Sequence, residues 1–360
     1  MRKQSHEFLR RILSIPSPSG FEAEAQRAFL DYVGPFADEV KTDVHGNAIG
    51  VLNPKGSVRV MLAGHADQVG LMVRYISDNG FLYFDQIGGL DPMLLPGQRV
   101  VVHTPSGARK GVIGRKPIHL METEDRNKIP KMREMWIDIG AENKKNAQKL
   151  VSVGDPVTFD VAVCELAGGN TISAGFDDKA GVFVIAEALR LLAARRVKAA
   201  VYAVATVQEE VGLRGARTSC FGIDPQVGIA VDVTFASDQP EVEKKAVGDI
   251  RLGAGPVIEK GPNFNPVLVE RLISAAKRKK IPHQIGAAAR PPGTDANAMQ
   301  ISRAGVATAL VSVPNRYMHT VVEMVRLSDM EHCAQLIAET VAGLDKGVDF
   351  DPIRTFKKKA

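Results

Sequence analysis

The chain has 360 residues, a formal charge of +5 and an ordinary globular composition. That length suits two domains, each with room for its own core, and no apolar run approaches the roughly 18–20 residues of a membrane span. Three widely spaced cysteines, Cys164, Cys220 and Cys333, exclude a disulfide scaffold, form no metal signature and fit a reducing cytoplasm.

In chain order, "MRKQSHEFLRRILSIPSPSG" reads as an amphipathic helix stopped by Pro16 and Pro18, with charges too scattered for a signal peptide. A second helix is expected over Phe21–Val33 and a buried strand over Val58–Ala63. From about Leu71 to Glu165 the texture changes. Short β-type runs ("GFLYFDQI", "QRVVVHT", "KGVIG", "DPVTFDV") alternate with Gly/Pro turns, and the only helical stretch is near Lys144–Lys149. This is the pattern of a small β-rich domain, barrel or PDZ-like. By Thr171 helices and strands alternate again: helices at Ala180–Ala194, Pro266–Arg278 and Asp329–Leu344, strands at Val201–Val207, Val227–Val231 and Ala307–Val313. The fold class is therefore α/β, a main domain (1–70 and 166–360) with helices on both faces of its sheet and a β-rich insert (71–165). Two basic clusters, Lys277–Lys280 and Lys357–Lys359, lack interleaved aromatics. They read as solvated surface, and no nucleic-acid partner is expected.

Acids and histidines gather where the predicted strands end. His65 and Asp67 follow "VMLAG", Asp177 and Asp178 precede a helix, and Glu209 and Glu210 end "VYAVATVQ". Asp232 closes "QVGIAV", and His319 follows "LVSVPNRYM". Ligands in open α/β sheets sit outside the carboxyl ends of strands. Singly, each feature has a plain structural reading: a core histidine, a helix cap, a surface acid pair, a turn. Gathered in one crevice, these carboxylates would repel one another unless cations held them. Two divalent metals meet that need, and nitrogen and oxygen donors without thiolate suit zinc, with cobalt or manganese possible.

Adjacent residues on a strand point to opposite faces, so Glu209 and Glu210 are expected to differ in role. Two dications are balanced by Asp177, Glu210, Asp232 and a bridging hydroxide, leaving Glu209 as general base for the water and proton donor to the leaving amine. Asp67, two residues beyond His65, is expected to accept the other ring N–H and fix the tautomer.

The ordered set "GHADQVGLMV", "GFDDKAGV", "TVQEEVGLRGA", "VDV", "GTDANAMQ" and "VPNRYMHT" resembles the dinuclear zinc aminopeptidases of the glutamyl and tetrahedral (TET) aminopeptidase family. "SPSGFE", "HGNAIG" and "MREMWIDIGAENKKNA" extend the resemblance over nearly the whole chain. The resemblance implies that His65 and Asp232 hold one metal, Glu210 and His319 the other, with Asp177 bridging. It also implies catalytic roles for Glu209 and Asp67, and a cis Asp177–Asp178 bond. The gap from His65 to Asp177, 177 − 65 = 112 residues, admits a whole inserted domain. Similar carboxypeptidases and deacylases carry their insert later, between the positions of Asp232 and His319. Departures are small: Phe176 and Lys179 stand where leucine and arginine are common, and Met318 where serine or isoleucine is, which bears on pocket shape.

The implied activity is removal of N-terminal residues from short peptides with free amines, by an enzyme whose insert mediates assembly to a homododecamer. "RPPGTDAN" is a candidate substrate loop, with Arg290, Gly293, Thr294 and Asp295 near the substrate; otherwise it is a Pro/Gly turn with one charged rim residue. The rival readings are a deacylase or glycosidase on the same metal site, and a silent oligomeric scaffold. A glycosidase needs two carboxyl groups free for the sugar, whereas these would be occupied by metal.

Overall fold

A computed structural model describes residues 1–356, so the Lys357–Lys359 cluster lies outside the described residues. The chain opens with two helices, Lys3–Ser14 (α1) and Ala23–Val33 (α2). Three strands follow: Glu39–Thr42 (β1), Ala48–Leu52 (β2) and Arg59–His65 (β3). A closed barrel comes next, formed by Gly70–Ile76 (β4), Leu82–Ile87 (β5), Arg99–Thr104 (β6), Gly107–Arg115 (β7), Met135–Asp138 (β8) and Pro156–Phe159 (β9). The helix Lys144–Gln148 (α3) precedes its last strand. Then come Cys164–Glu165 (β10), Asn170–Ser173 (β11), Phe176–Ala193 (α4), Ala200–Thr206 (β12), Arg214–Ile223 (α5) and Val227–Phe235 (β13). After Lys244–Val247 (α6), the chain alternates Val257–Lys260 (β14), Pro266–Lys279 (α7), Gln284–Ala287 (β15), Asp295–Gln300 (α8) and Ala307–Asn315 (β16). Glu323–Arg326 (β17), Leu327–Val341 (α9) and Pro352–Phe356 (α10) complete it.

The main sheet has the order β1-β2-β12-β3-β13-β16-β14-β15. Its four middle strands, β12, β3, β13 and β16, run parallel. Helices cover both faces of such a sheet, so its strands read as continuous apolar runs rather than alternating ones. Every residue of β3 after Arg59 is buried. The long helix α4 packs on β3 and β13 and against α9. It can approach because β3 and α4 meet at two glycines: a Cβ on Gly64 would lie 2.6 Å from the Gly181 carbonyl carbon. This contact brings the first turn of α4 alongside the end of β3. Helix α7 starts where the residue types require, with Pro266 at its first turn and the Asn265 side chain accepting from the N–H groups of Val267 and Leu268.

The barrel, in the order β4-β5-β8-β7-β6-β9, has its own core of Leu71, Val73, Leu82, Val100, Ile113 and Ile137. Strand β10 lies within the stretch assigned to the insert by texture, but it pairs with β11, and β11 with β17, in a separate three-stranded sheet. Among the described residues no helix is long and apolar enough to cross a membrane. Lys277–Lys280 ends α7 in exposed positions, where Lys279 meets Glu339 at 3.2 Å. No disulfide forms among the three cysteines; Cys164 is exposed and the other two are buried.

Candidate metal centre

The carboxyl ends of the parallel strands open into a cavity of about 270 Å³ lined by His65, Asp177, Glu209, Glu210, Asp232 and His319. His65 is the last residue of β3, in register with Thr206 at the end of β12. Asp177 stands at the centre. One of its oxygens is 3.1 Å from His65 Nε2 and the other 3.2 Å from His319 Nε2. Glu209 Oε2 and Asp232 Oδ1 lie 3.7 and 4.0 Å from His65 Nε2, and Glu210 Oε1 lies 3.5 Å from His319 Nε2. The Asp177–Asp178 peptide bond is cis.

The two glutamates do not obey strand alternation. Strand β12 stops at Thr206, and Gln208 adopts a left-handed conformation (φ 55°), so both carboxylates turn into the crevice. Buried acceptors hold this turn. Asp67, with no exposed surface, accepts from the N–H of Glu209 at 3.0 Å and of Glu210 at 3.1 Å, and from the Ser19 hydroxyl at 2.6 Å. Glu22 accepts from the N–H of Gln208 at 3.1 Å. His65 Nδ1 lies 3.0 Å from the Asp67 main-chain carbonyl and 3.5 Å from the Asp67 carboxylate, so Asp67 meets the ring through both groups.

Several buried groups have roles that sequence reasoning did not assign. Asp178 accepts the His65 N–H at 3.1 Å and the Gly181 N–H at 2.9 Å, so both its oxygens serve the backbone. Glu323, 1% exposed, accepts from the N–H groups of Asp177 and His319, each at 2.9 Å. Lys179 is wholly buried and donates to the Ile15 carbonyl and the Gln68 amide oxygen. "SPSGFE" carried a signal as a motif, since it supplies Ser19 and Glu22; nothing local marks Glu323.

Of the candidate substrate loop, Gly293 and Thr294 line the cavity. Arg290 is exposed and does not line the cavity, and neither does Asp295. It is 2% exposed at the start of α8 and accepts from the Thr206 hydroxyl at 2.5 Å, because α8 lies beneath the strand ends. The barrel supplies part of the rim. A Cβ on Gly88 would stand 3.3 Å from Glu210 Cβ, and one on Gly89 would stand 3.5 Å from His319 Nδ1.

Charge is strongly frustrated in this cavity. Burial, together with neighbouring carboxylates, pushes Glu209 up to about 10 and Glu210 up to about 7, and raises Asp232 well above the carboxylate range. Burial also opposes ionisation of Asp177, but its two imidazole partners overcome this and hold it well below the usual value. His319 is raised to about 9, chiefly by its hydrogen bond to Asp177. Glu209 Oε1 and Glu210 Oε1 are buried without hydrogen-bond partners. Unpaired buried acceptors of this kind call for a cation. Ligand atoms of His65, Asp177 and Glu210 lie within 4.8 Å of one another, as do those of His65, Asp178 and Asp232. The donors are oxygen and nitrogen, and the residues fit divalent metal.

Known proteins share this architecture. The family model of the M42 glutamyl aminopeptidases matches residues 46–336. A lysyl aminopeptidase of Pyrococcus furiosus is 40% identical over 350 residues, spanning 96% of this chain and 99% of that one. Among solved structures, a TET aminopeptidase from a marine sediment Thaumarchaeota archaeon superposes with a TM-score of 0.92 at 35% identity, over 96% of this chain and 97% of that chain. A Pyrococcus horikoshii TET peptidase that can assemble into a tetrahedron or a large octahedral shell has a TM-score of 0.84 at 34% identity, over 94% of this chain and 100% of its own. With a family match across most of its length and such a relative aligned nearly end to end, this chain belongs to the M42 glutamyl aminopeptidase family.

Proposed function

We propose that this metal-dependent aminopeptidase works with two divalent ions, zinc or alternatively cobalt or manganese, and removes N-terminal residues from short peptides with free amines. The observation that carries this reading is Asp177, with one oxygen towards each imidazole and further carboxylates flanking both sides. In it, His65 and Asp232 hold one ion, Glu210 and His319 hold the other, and Asp177 is shared. When bound, the pair neutralises the crevice, acidifies water and polarises the scissile carbonyl.

Glu209 is the proton carrier. Its Oε1 has no partner of its own, its backbone is fixed by Asp67, and it faces the cavity beside His65. It takes a proton from the attacking water and returns it to the leaving amine, the usual work of a general base that becomes an acid. Asp67 acts by holding the Glu209–Glu210 turn and the His65 ring. Gly293 and Thr294 shape the cavity wall against which the N-terminal residue lies.

The relatives' names, lysyl and glutamyl, point to different N-terminal residues, so the side-chain preference is to be read by assay. By the same likeness to TET peptidases, the chain assembles through its barrel (residues 71–165 in the proposed division) into a homododecamer and works in the cytoplasm. Light scattering that finds a stable monomer refutes that assembly. For the chemistry, the protein is loaded with Zn²⁺ or Co²⁺ and offered aminoacyl-anilides, N-acetylated peptides and cellulose side by side. Turnover confined to free-amine aminoacyl substrates is the expected result. Turnover of the acetylated peptides or cellulose instead overturns it.

A further inference from the structure

We infer that Glu323 is a positioning residue that seats the ion held by Glu210 and His319, an inference that rests on the two-ion reading above. Two arms of the chain meet at this side chain. The first is the lead-in to α4: β17 pairs with β11, placing Glu323 opposite Ser173, and its Oε2 accepts the Asp177 N–H at 2.9 Å. The second is the turn after β16, closed by the Arg316–Met324 bridge, where Glu323 Oε1 accepts the His319 N–H at 2.9 Å.

The clamp matters because neither backbone is secured by regular structure. His319 sits at φ 59° and Tyr317 at φ 63°, left-handed conformations that non-glycine residues seldom adopt without tertiary support. Asp177 has non-helical dihedrals (φ −79°, ψ 104°) at the start of α4 and lies outside its regular hydrogen-bond ladder. A single buried side chain accepts both orphan N–H groups, one on each carboxyl oxygen. Asp177 and His319 thus share one support, and their side chains face each other at 3.2 Å. Neither His65 nor Asp232 is bonded to Glu323: His65 is held by Asp178 and Asp67, and Asp232 by its place in β13. The ion held by Glu210 and His319 thus depends on the clamp through two ligands and the other ion only through the shared Asp177, so loss of the clamp weakens the two unequally.

The test is cobalt titration of the metal-free full-length protein, read by visible absorption and by dialysis with elemental analysis. It is applied to the wild type, Glu323→Gln and Glu323→Ala. Outer partners of metal ligands commonly contribute about 10–100-fold in affinity. The ion held by Glu210 and His319 is expected to lose affinity by about that factor in Glu323→Ala. Glu323→Gln, which keeps one acceptor oxygen, falls between. The ion held by His65 and Asp232, which meets Glu323 only through Asp177, is expected to lose less. Circular dichroism melts of the metal-free proteins identify folded variants, and if Glu323→Ala does not fold, Glu323→Gln carries the comparison alone. A folded Glu323→Gln with both affinities unchanged, or with both weakened equally, overturns the clamp while leaving the metal reading intact. A wild type that takes up no cobalt overturns the metal reading itself, and the clamp with it.

Discussion

Replacing Glu209 with glutamine is expected to make the metal-free protein more stable while removing its activity. Glu209 is 6% exposed, and its Oε1 has no partner. Burial first, and then Asp232, Asp295 and Glu210 against the relief offered by His65, push its carboxyl up to about 10 from 4.5. A carboxyl raised on folding keeps its proton in the native state where the unfolded chain has released it. Stability therefore falls as pH rises from 4.5 towards 10. At pH 8 the interval is 8 − 4.5 = 3.5 units, and at about 1.36 kcal/mol per unit the ceiling on the loss is about 5 kcal/mol. Neighbouring acids and entering water share that load, so a gain on the order of 2 kcal/mol is expected for Glu209→Gln at pH 8, and less at pH 6. Urea unfolding of metal-free wild type and variant at both pH values measures it. Metal content of the loaded variant should stay near that of the wild type, and turnover of an aminoacyl-anilide should fall about 10²–10⁴-fold or more. Equal stability at both pH values refutes the electrostatic argument, and full turnover in a metal-replete variant refutes the role of the residue.

Two further substitutions probe the frame around that residue. Asp177→Ala removes the carboxylate between the imidazoles, so elemental analysis should find both ions lost; two ions retained would contradict the shared role. Asp67→Asn keeps the size of a side chain that accepts three donors but offers one oxygen in place of two. At least one buried donor loses its acceptor, at about 1–3 kcal/mol in urea unfolding. Steady-state kinetics should show kcat falling more than KM rises, because the released turn carries Glu209; unchanged stability and unchanged kcat would dismiss the support assigned to Asp67.

The four parallel strands were legible because each is a continuous apolar run with an acid or histidine at or just beyond its end. Val227–Val231 and Ala307–Val313 fall inside β13 and β16, and Val58–Ala63 overlaps β3, which runs two residues further to His65. The insert was legible as β-rich, barrel or PDZ-like, but not the order of its strands, since turn residues mark where strands end and not which strands pair. What stayed hidden depends on contacts between distant residues. Ser19 reaches Asp67 across 48 positions, and Glu323 reaches Asp177 across 146. Local pattern carries no information on such meetings. The alternation expected of Glu209 and Glu210 failed for a related reason: it holds only while a strand lasts, and β12 ends before either residue.

Gly88 and Gly89, between β5 and the rest of the barrel, lie against Glu210 and His319. The module that looks like scaffolding is thus also a wall of the reaction chamber, closed tightly enough that any larger residue at Gly88 would have to displace Glu210 or Val69. Grafting a foreign barrel at the same junctions would leave that flank open to solvent. The barrel cannot be exchanged without remaking that flank of the crevice.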